Sequence, residues 1–122
     1  MSFSTEFGEH ILDMLAPLGA LTLKRVFGGA CINYGTATFA LMFDDTVYLR
    51  VDEKNIERFQ KAGSNPFSYT DSGKEIIVAS YYLLPDEALD DPDDLLERAR
   101  GALDAGLKAE RQKQGKKNGR KK

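Results

Sequence analysis

The stretch Phe39–Asn55, FALMFDDTVYLRVDEKN, constrains the fold more than any other part of this 122-residue chain. Two runs with period-two apolar spacing are separated by Asp44-Asp45, and a helix-start signal follows at once. Such alternation belongs to half-buried strands. A connection this short makes the strands antiparallel, because a parallel crossover needs a dozen residues or more. On this reading Phe39, Leu41 and Phe43 share the core face with Val47, Leu49 and Val51. Ala40, Met42, Tyr48 and Arg50 then form an opposite face, too apolar for a wholly solvated surface and expected to be covered in part.

The flanking residues extend the unit. Leu21–Phe27 and Ala30–Tyr34 are short runs rich in β-branched or aromatic residues, set off by Gly28-Gly29 and Gly35-Thr36. With Thr38–Phe43 and Val47–Val51 they predict a four-stranded meander. Ahead of it, Phe7, Ile11, Met14, Leu15 and Leu18 recur at helical spacing until Pro17 and Gly19 end the pattern. Behind it, Asp52 is expected to cap a short helix with Ile56, Phe59 and Ala62 on its buried stripe. Phe67 and Tyr69 anchor a loop that ends at the Asp71-Ser72-Gly73 turn. Glu75–Leu83 reads as a fifth strand, covered on both faces.

Asp91-Pro92 opens the last helix, whose stripe is Leu96, Ala99, Leu103 and Leu107, with Ala102 and Gly106 beside it. Gly101 and Gly106 weaken a helix interior, so each is expected where the helix approaches a neighbour closely. The element order is α-β(4)-α-β-α. The fold class is α+β, two-layered, with helices on a mainly antiparallel sheet.

Charge divides the chain into two parts. Lys108–Lys122 holds eight Lys/Arg and one acid, Glu110, a charge of +7, so with a total of −2 the remainder carries −9. Residues 1–111 read as one domain, and 112–122 as a basic tail without regular structure. The N-terminus lacks a basic segment followed by an apolar one, and no apolar run approaches the roughly 20 residues of a membrane helix. A single cysteine suits a reducing compartment. Cytoplasmic location is the expectation.

Several motifs together resemble a known family. Val26-Phe27-Gly28-Gly29, Phe39-Ala40-Leu41 before Asp44-Asp45, and Tyr48-Leu49-Arg50-Val51-Asp52 are similar to the N-terminal domain of the TfoX/Sxy proteins. Gly63, Pro66-Phe67-Ser68-Tyr69, Ser80-Tyr81-Tyr82, Pro85 and Leu89-Asp90-Asp91-Pro92 continue the resemblance in order, from roughly Leu12 to Leu107. It implies a small α+β domain and a regulatory role, since TfoX/Sxy proteins regulate competence genes as co-activators beside a transcription factor. Full-length members carry a helical C-terminal domain, whereas here only the basic tail follows Leu107. The resemblance is to an N-terminal-domain-only member.

Chemistry is sparsely marked. Asp86, Glu87, Asp90, Asp91, Asp93, Asp94 and Glu97 lack the ligand layout of a calcium loop and suit a solvated helix start. Gly28-Gly29 after Lys24-Arg25 suggests anion binding, yet neither phosphate-loop pattern is present and a tight hairpin explains the glycines. Cys31 lies in a predicted strand, where cysteine is a small hydrophobe. His10 has no companion, and the two cannot build a zinc cage. No catalytic residue, cofactor site or metal site is assigned.

The candidate partner or ligand surface is Arg50, Phe67, Tyr69, Tyr81 and Tyr82. The adjacent tyrosines point to opposite sheet faces, one core-facing and the other more accessible. The candidate nucleic-acid contacts are Lys113, Lys116, Lys117, Arg120, Lys121 and Lys122, suited to salt-sensitive, sequence-indifferent attraction. Three readings follow: a non-catalytic regulatory adaptor with a transcription-related protein partner, a small-ligand-binding protein or enzyme with a pocket near Arg50, Phe67, Tyr69 and Tyr82, and a nonspecific nucleic-acid binder working through the tail. The second apolar sheet face makes homodimerisation a further expectation.

Overall fold

The computed structural model describes residues 5–26, 29–43 and 46–119. Helix α1 (Thr5–Leu15) runs into a 3-10 turn at Ala16–Leu18, where Pro17 cannot continue the α-helical bonding. Strands β1 (Thr22–Val26), β2 (Gly29–Tyr34), β3 (Ala37–Phe43) and β4 (Thr46–Arg50) follow as the expected antiparallel meander. Then come α2 (Ile56–Lys61), β5 (Pro66–Asp71), β6 (Lys74–Leu83), α3 (Asp86–Leu89) and α4 (Pro92–Gly119). The six strands form one sheet in the order β1-β2-β3-β4-β6-β5, antiparallel throughout. The class is α+β, as expected, with one strand more than the sequence pattern suggests.

The core face is not the one that simple alternation gives. Ile32 pairs with Ala40 but Asn33 pairs with Thr38, which leaves Phe39 as an extra residue in β3. A bulge of this kind breaks the two-residue alternation. Phe39 and Ala40 are therefore both fully buried, and beyond them Met42 faces inward while Leu41 and Phe43 are only half-buried. Register confirms the assignment, because Ala40 and Met42 stand opposite Leu49 and Val47. Leu41 and Phe43 thus belong with Tyr48 and Arg50 on the other face.

The extra strand is the segment read from sequence as a loop around Phe67 and Tyr69. Phe67–Asp71 pairs with Lys74–Val78 through the Ser72-Gly73 turn. Pro66, however, pairs with Tyr82, so Ala79, Ser80 and Tyr81 are skipped by β5. Only Tyr81–Leu83 pairs with β4. The first half of β6 is consequently not a covered central strand. It forms a two-stranded arm with β5, and Ile77 there is 60% exposed.

Helices α1 and α4 pack on the core face. Ile11 and Leu15 join Leu95, Ala99 and Ala102 in one cluster with Ala30, Ile32, Phe39, Met42, Leu49 and Tyr82. The seam of α4 is built from small residues, Ala99, Ala102, Ala105 and Gly106, with Leu96, Leu103 and Leu107 half-buried at its flanks. Of the expected stripe Leu96, Ala99, Leu103 and Leu107 only Ala99 lies in this seam, for a steric reason. At Gly106 a Cβ would stand 2.8 Å from the Thr38 carbonyl oxygen, so only a narrow seam lets the helix lie this close to β3. Gly101 is not such a point, its nearest neighbour being Asn55 at 3.5 Å.

The ends of the helices depend on local hydrogen bonds. Asp91 Oδ1 accepts from the backbone N–H groups of Asp93 and Asp94, at 3.1 and 3.3 Å, and caps α4 as expected. Asp52 does not cap α2 directly. Its Oδ1 accepts from the Lys54 N–H at 2.9 Å, making a turn from which the helix starts only at Ile56. Helix α4 extends past the apolar pattern as regular backbone to Gly119, through part of the segment expected to lack structure. Arg120, Lys121 and Lys122 lie outside the described residues. No helix among the described residues is long and apolar enough to cross a membrane.

Candidate functional site

On the face of the sheet opposite the helical core, register brings together Cys31, Leu41, Tyr48, Leu83, Arg50 and Tyr81. Cys31, Phe67 and Tyr81 are buried yet stand outside the main hydrophobic cluster, so this face has a small packing centre of its own. The Phe67 ring is its hub. It stacks on Phe43 with ring centroids 5.1 Å apart, meets Tyr48 edge-on at 4.8 Å and stacks on Tyr69 at 6.0 Å. The skipped residues of β6 let Phe67 take this position against two neighbouring strands. Gly29 lies beneath the same group, and a Cβ there would collide with the Met42 carbonyl and the Phe43 ring.

The row ends in solvent. Tyr69 is 48% exposed, whereas Phe67 is buried. A stacked aromatic row with one open end offers a preformed apolar surface and a phenolic hydroxyl to a partner.

Arg50 and Tyr81 form a second group on the same face. Arg50 Nη1 donates to the Tyr81 hydroxyl at 3.1 Å, and the guanidinium carbon lies 5.3 Å from the Tyr81 ring centroid. The hydroxyl in turn donates to the Thr38 carbonyl at 3.4 Å. Burial pushes the Tyr81 phenol above its ordinary value of 10.0, a shift partly offset by the positive charge and hydrogen bond of Arg50. Tyr81 and Tyr82 do point to opposite faces, as expected. Neither is the more accessible partner, since they are 7% and 9% exposed. Tyr82 belongs to the core, tilted against Phe59 with centroids 6.3 Å apart.

Of the five residues expected to form one surface, Arg50, Phe67, Tyr69 and Tyr81 therefore share a face, and Tyr82 does not. The cleft beside Arg50 is not the one expected between Arg50 and the aromatics. It measures about 330 Å³ and is lined by Thr36, Thr38, Arg50, Gly106, Ala109, Glu110 and Lys113. Sequence reading missed it because its walls come from the β2–β3 turn, the end of β4 and α4, segments that only the fold brings together. The glycine at 106, expected where the helix approaches a neighbour closely, was the one sequence signal for that meeting.

Other marked residues fall elsewhere. Cys31 is buried, and His10 is exposed on α1. In the acidic run, Asp94 meets Arg58 at 3.0 Å and Arg98 at 3.2 Å, Glu97 meets Arg58 at 3.2 Å, and Asp91 is used as a cap. No group of His, Cys, Asp or Glu able to hold a metal ion occurs among the described residues. Gly29 is explained by packing, and Gly28 lies outside the described residues. Lys108 pairs with Glu53 and, at 3.9 Å, with Asp52. The hydrogen bond from Lys108 holds the Glu53 carboxyl below its ordinary value, and Glu53 raises Lys108 in return.

The family model of the TfoX N-terminal domain matches residues 13–106. The chain belongs to the TfoX N-terminal domain family. That match takes in the whole sheet, the Arg50–Tyr81 pair and the aromatic row of this TfoX-type domain. It ends at Gly106, so the cleft has one wall inside the matched region and another, Ala109, Glu110 and Lys113, beyond it. No curated protein matches the chain.

Proposed function

We propose that this TfoX N-terminal-type domain is a non-catalytic regulatory adaptor that acts in the cytoplasm by docking a transcription-related protein. The observation that supports this reading is the aromatic row Phe43–Phe67–Tyr69. It stacks on the face away from the helical core and ends in a half-exposed tyrosine. Aromatic residues combine large contact area with little rotamer entropy to lose, which suits them to interface centres. The regulatory role itself comes from the family resemblance.

A photo-crosslinking residue at Tyr69 in the native cell tests the proposal. The expected product is an adduct with a protein of the transcription apparatus, absent when the crosslinker replaces Gln60, an exposed residue on α2. Adducts only with a second copy would replace the adaptor by a homodimer. No adduct at Tyr69 beyond the Gln60 background would refute docking at this face.

The exposed Lys113 and the helical backbone that continues to Gly119 favour an additional weak contact with nucleic acid. Affinity for any duplex should then fall steeply between low and moderate salt and disappear when the chain stops at Leu107. Binding that survives the truncation would dismiss the tail contact.

A further inference from the structure

We propose that the cleft between the β2–β3 turn and α4 is a binding site for a phosphate monoester, independent of the aromatic docking face. Arg50 is its anchor. None of the ion pairs formed among the described residues uses Arg50, although Arg58, Arg98 and Lys108 each have a carboxylate. Among the described residues its one side-chain hydrogen bond goes to the neutral hydroxyl of Tyr81, which is itself held by the Thr38 carbonyl. The guanidinium is therefore fixed in direction by a buried tyrosine while its remaining N–H groups and its charge are not matched by a carboxylate among the described residues.

The other lining residues define what would complement that charge. Lys113 supplies a second cation with no carboxylate partner among the described residues, and Thr36 an exposed hydroxyl. The Thr38 hydroxyl is committed as a donor to Asn33 Oδ1 at 2.6 Å and adds no donor to the cleft. Glu110 is the one acid in the lining. Two cations, a hydroxyl and one carboxylate are the counterpart of a phosphate whose carrier presents a hydroxyl or ammonium group to Glu110. A space of about 330 Å³ admits a small molecule of that kind. Charge-assisted bonds from a pre-oriented arginine are the strongest hydrogen bonds available for such recognition.

Glu110 and Lys113 line the cleft from α4. They lie beyond the family match, which ends at residue 106.

Calorimetric titration of the full chain at fixed ionic strength tests the site, with inorganic phosphate, 2-aminoethyl phosphate and a short DNA duplex as probes. The expected order is 2-aminoethyl phosphate tighter than inorganic phosphate, with chloride inert. Arg50→Gln should weaken both by about tenfold or more, the loss of one charge-assisted contact. Glu110→Gln is a nearly isosteric change at a half-buried position. It should tighten inorganic phosphate several-fold and abolish the advantage of 2-aminoethyl phosphate. Duplex binding that inorganic phosphate displaces and Arg50→Gln removes would assign the cleft to a nucleic-acid phosphodiester and overturn the monoester site. Phosphate no better than chloride, or affinities unchanged in both Lys113→Gln and Glu110→Gln, would overturn the proposal.

Discussion

Gly106 faces Thr38 across the helix–sheet interface so closely that a Cβ on Gly106 would stand 2.8 Å from the Thr38 carbonyl oxygen and 3.4 Å from the Phe39 Cβ. Both contacts fall on rigid parts of β3 and cannot swing aside. Alanine in place of a helix-interior glycine ordinarily stabilises by up to about 1 kcal/mol. At Gly106 the sign should reverse, with Gly106→Ala destabilising by about 1–3 kcal/mol through overpacking. Gly101→Ala is the control. Its nearest neighbour at 3.5 Å is in ordinary contact, so a gain of about 0.5–1 kcal/mol is expected. Urea midpoints of the two variants check both signs at once.

The bulge at Phe39 makes a second prediction. Met42, fully buried, should cost about 2–5 kcal/mol when truncated to alanine. Leu41→Ala, at a half-buried position on the other face, should cost less than half of that in the same denaturation assay. Uninterrupted alternation along β3 would reverse the ranking.

Tyr81 links stability to alkaline pH. Its phenol titrates above the ordinary 10.0 because burial disfavours the phenolate more than Arg50 favours it. Above that pH the unfolded chain releases the proton first, so the native state holds more protons and stability falls. The contribution is intact below pH 10 and is lost as the pH rises through the higher folded value. Stability measured against pH should therefore drop more steeply in the parent chain than in Tyr81→Phe. At neutral pH that variant should be weaker by about 0.5–1.5 kcal/mol, from the lost hydroxyl bonds.

Asp91 holds the N-terminus of α4 through two backbone N–H groups. Asp91→Ala should destabilise by about 0.5–2 kcal/mol, and Asp91→Ser should recover most of it, since a serine hydroxyl can accept the same bonds. Thermal unfolding followed by far-ultraviolet circular dichroism resolves the difference.

Local pattern carried a large part of this architecture. The meander from Thr22 to Arg50, the α1 stripe through Ile11 and Leu15, and the Asp91-Pro92 start of α4 rest on spacing, turn residues and caps, which act over a few positions. Family membership was legible for the same reason, in ordered short motifs between Leu12 and Leu107. Residue type grouped Arg50, Phe67, Tyr69, Tyr81 and Tyr82, and the structure puts the first four on one face of the sheet with Tyr82 in the core.

What pattern could not decide was every feature that depends on registering one segment against another. A single extra residue in β3 exchanges the roles of Leu41 and Met42, and nothing in the alternation of that strand reveals it. The choice of a small-residue seam over a leucine stripe on α4 follows from how near the helix must lie to Thr38. The open row at Tyr69 and the Arg50–Lys113 cleft join residues far apart in the chain. The sequence by itself determined the first helix, the four-strand meander and the start of the last helix, because hydrogen-bonding period and capping are local, whereas β5 was read as a loop. Only the tertiary structure decided which side chains meet, because pairing register and close packing are set by the whole core at once.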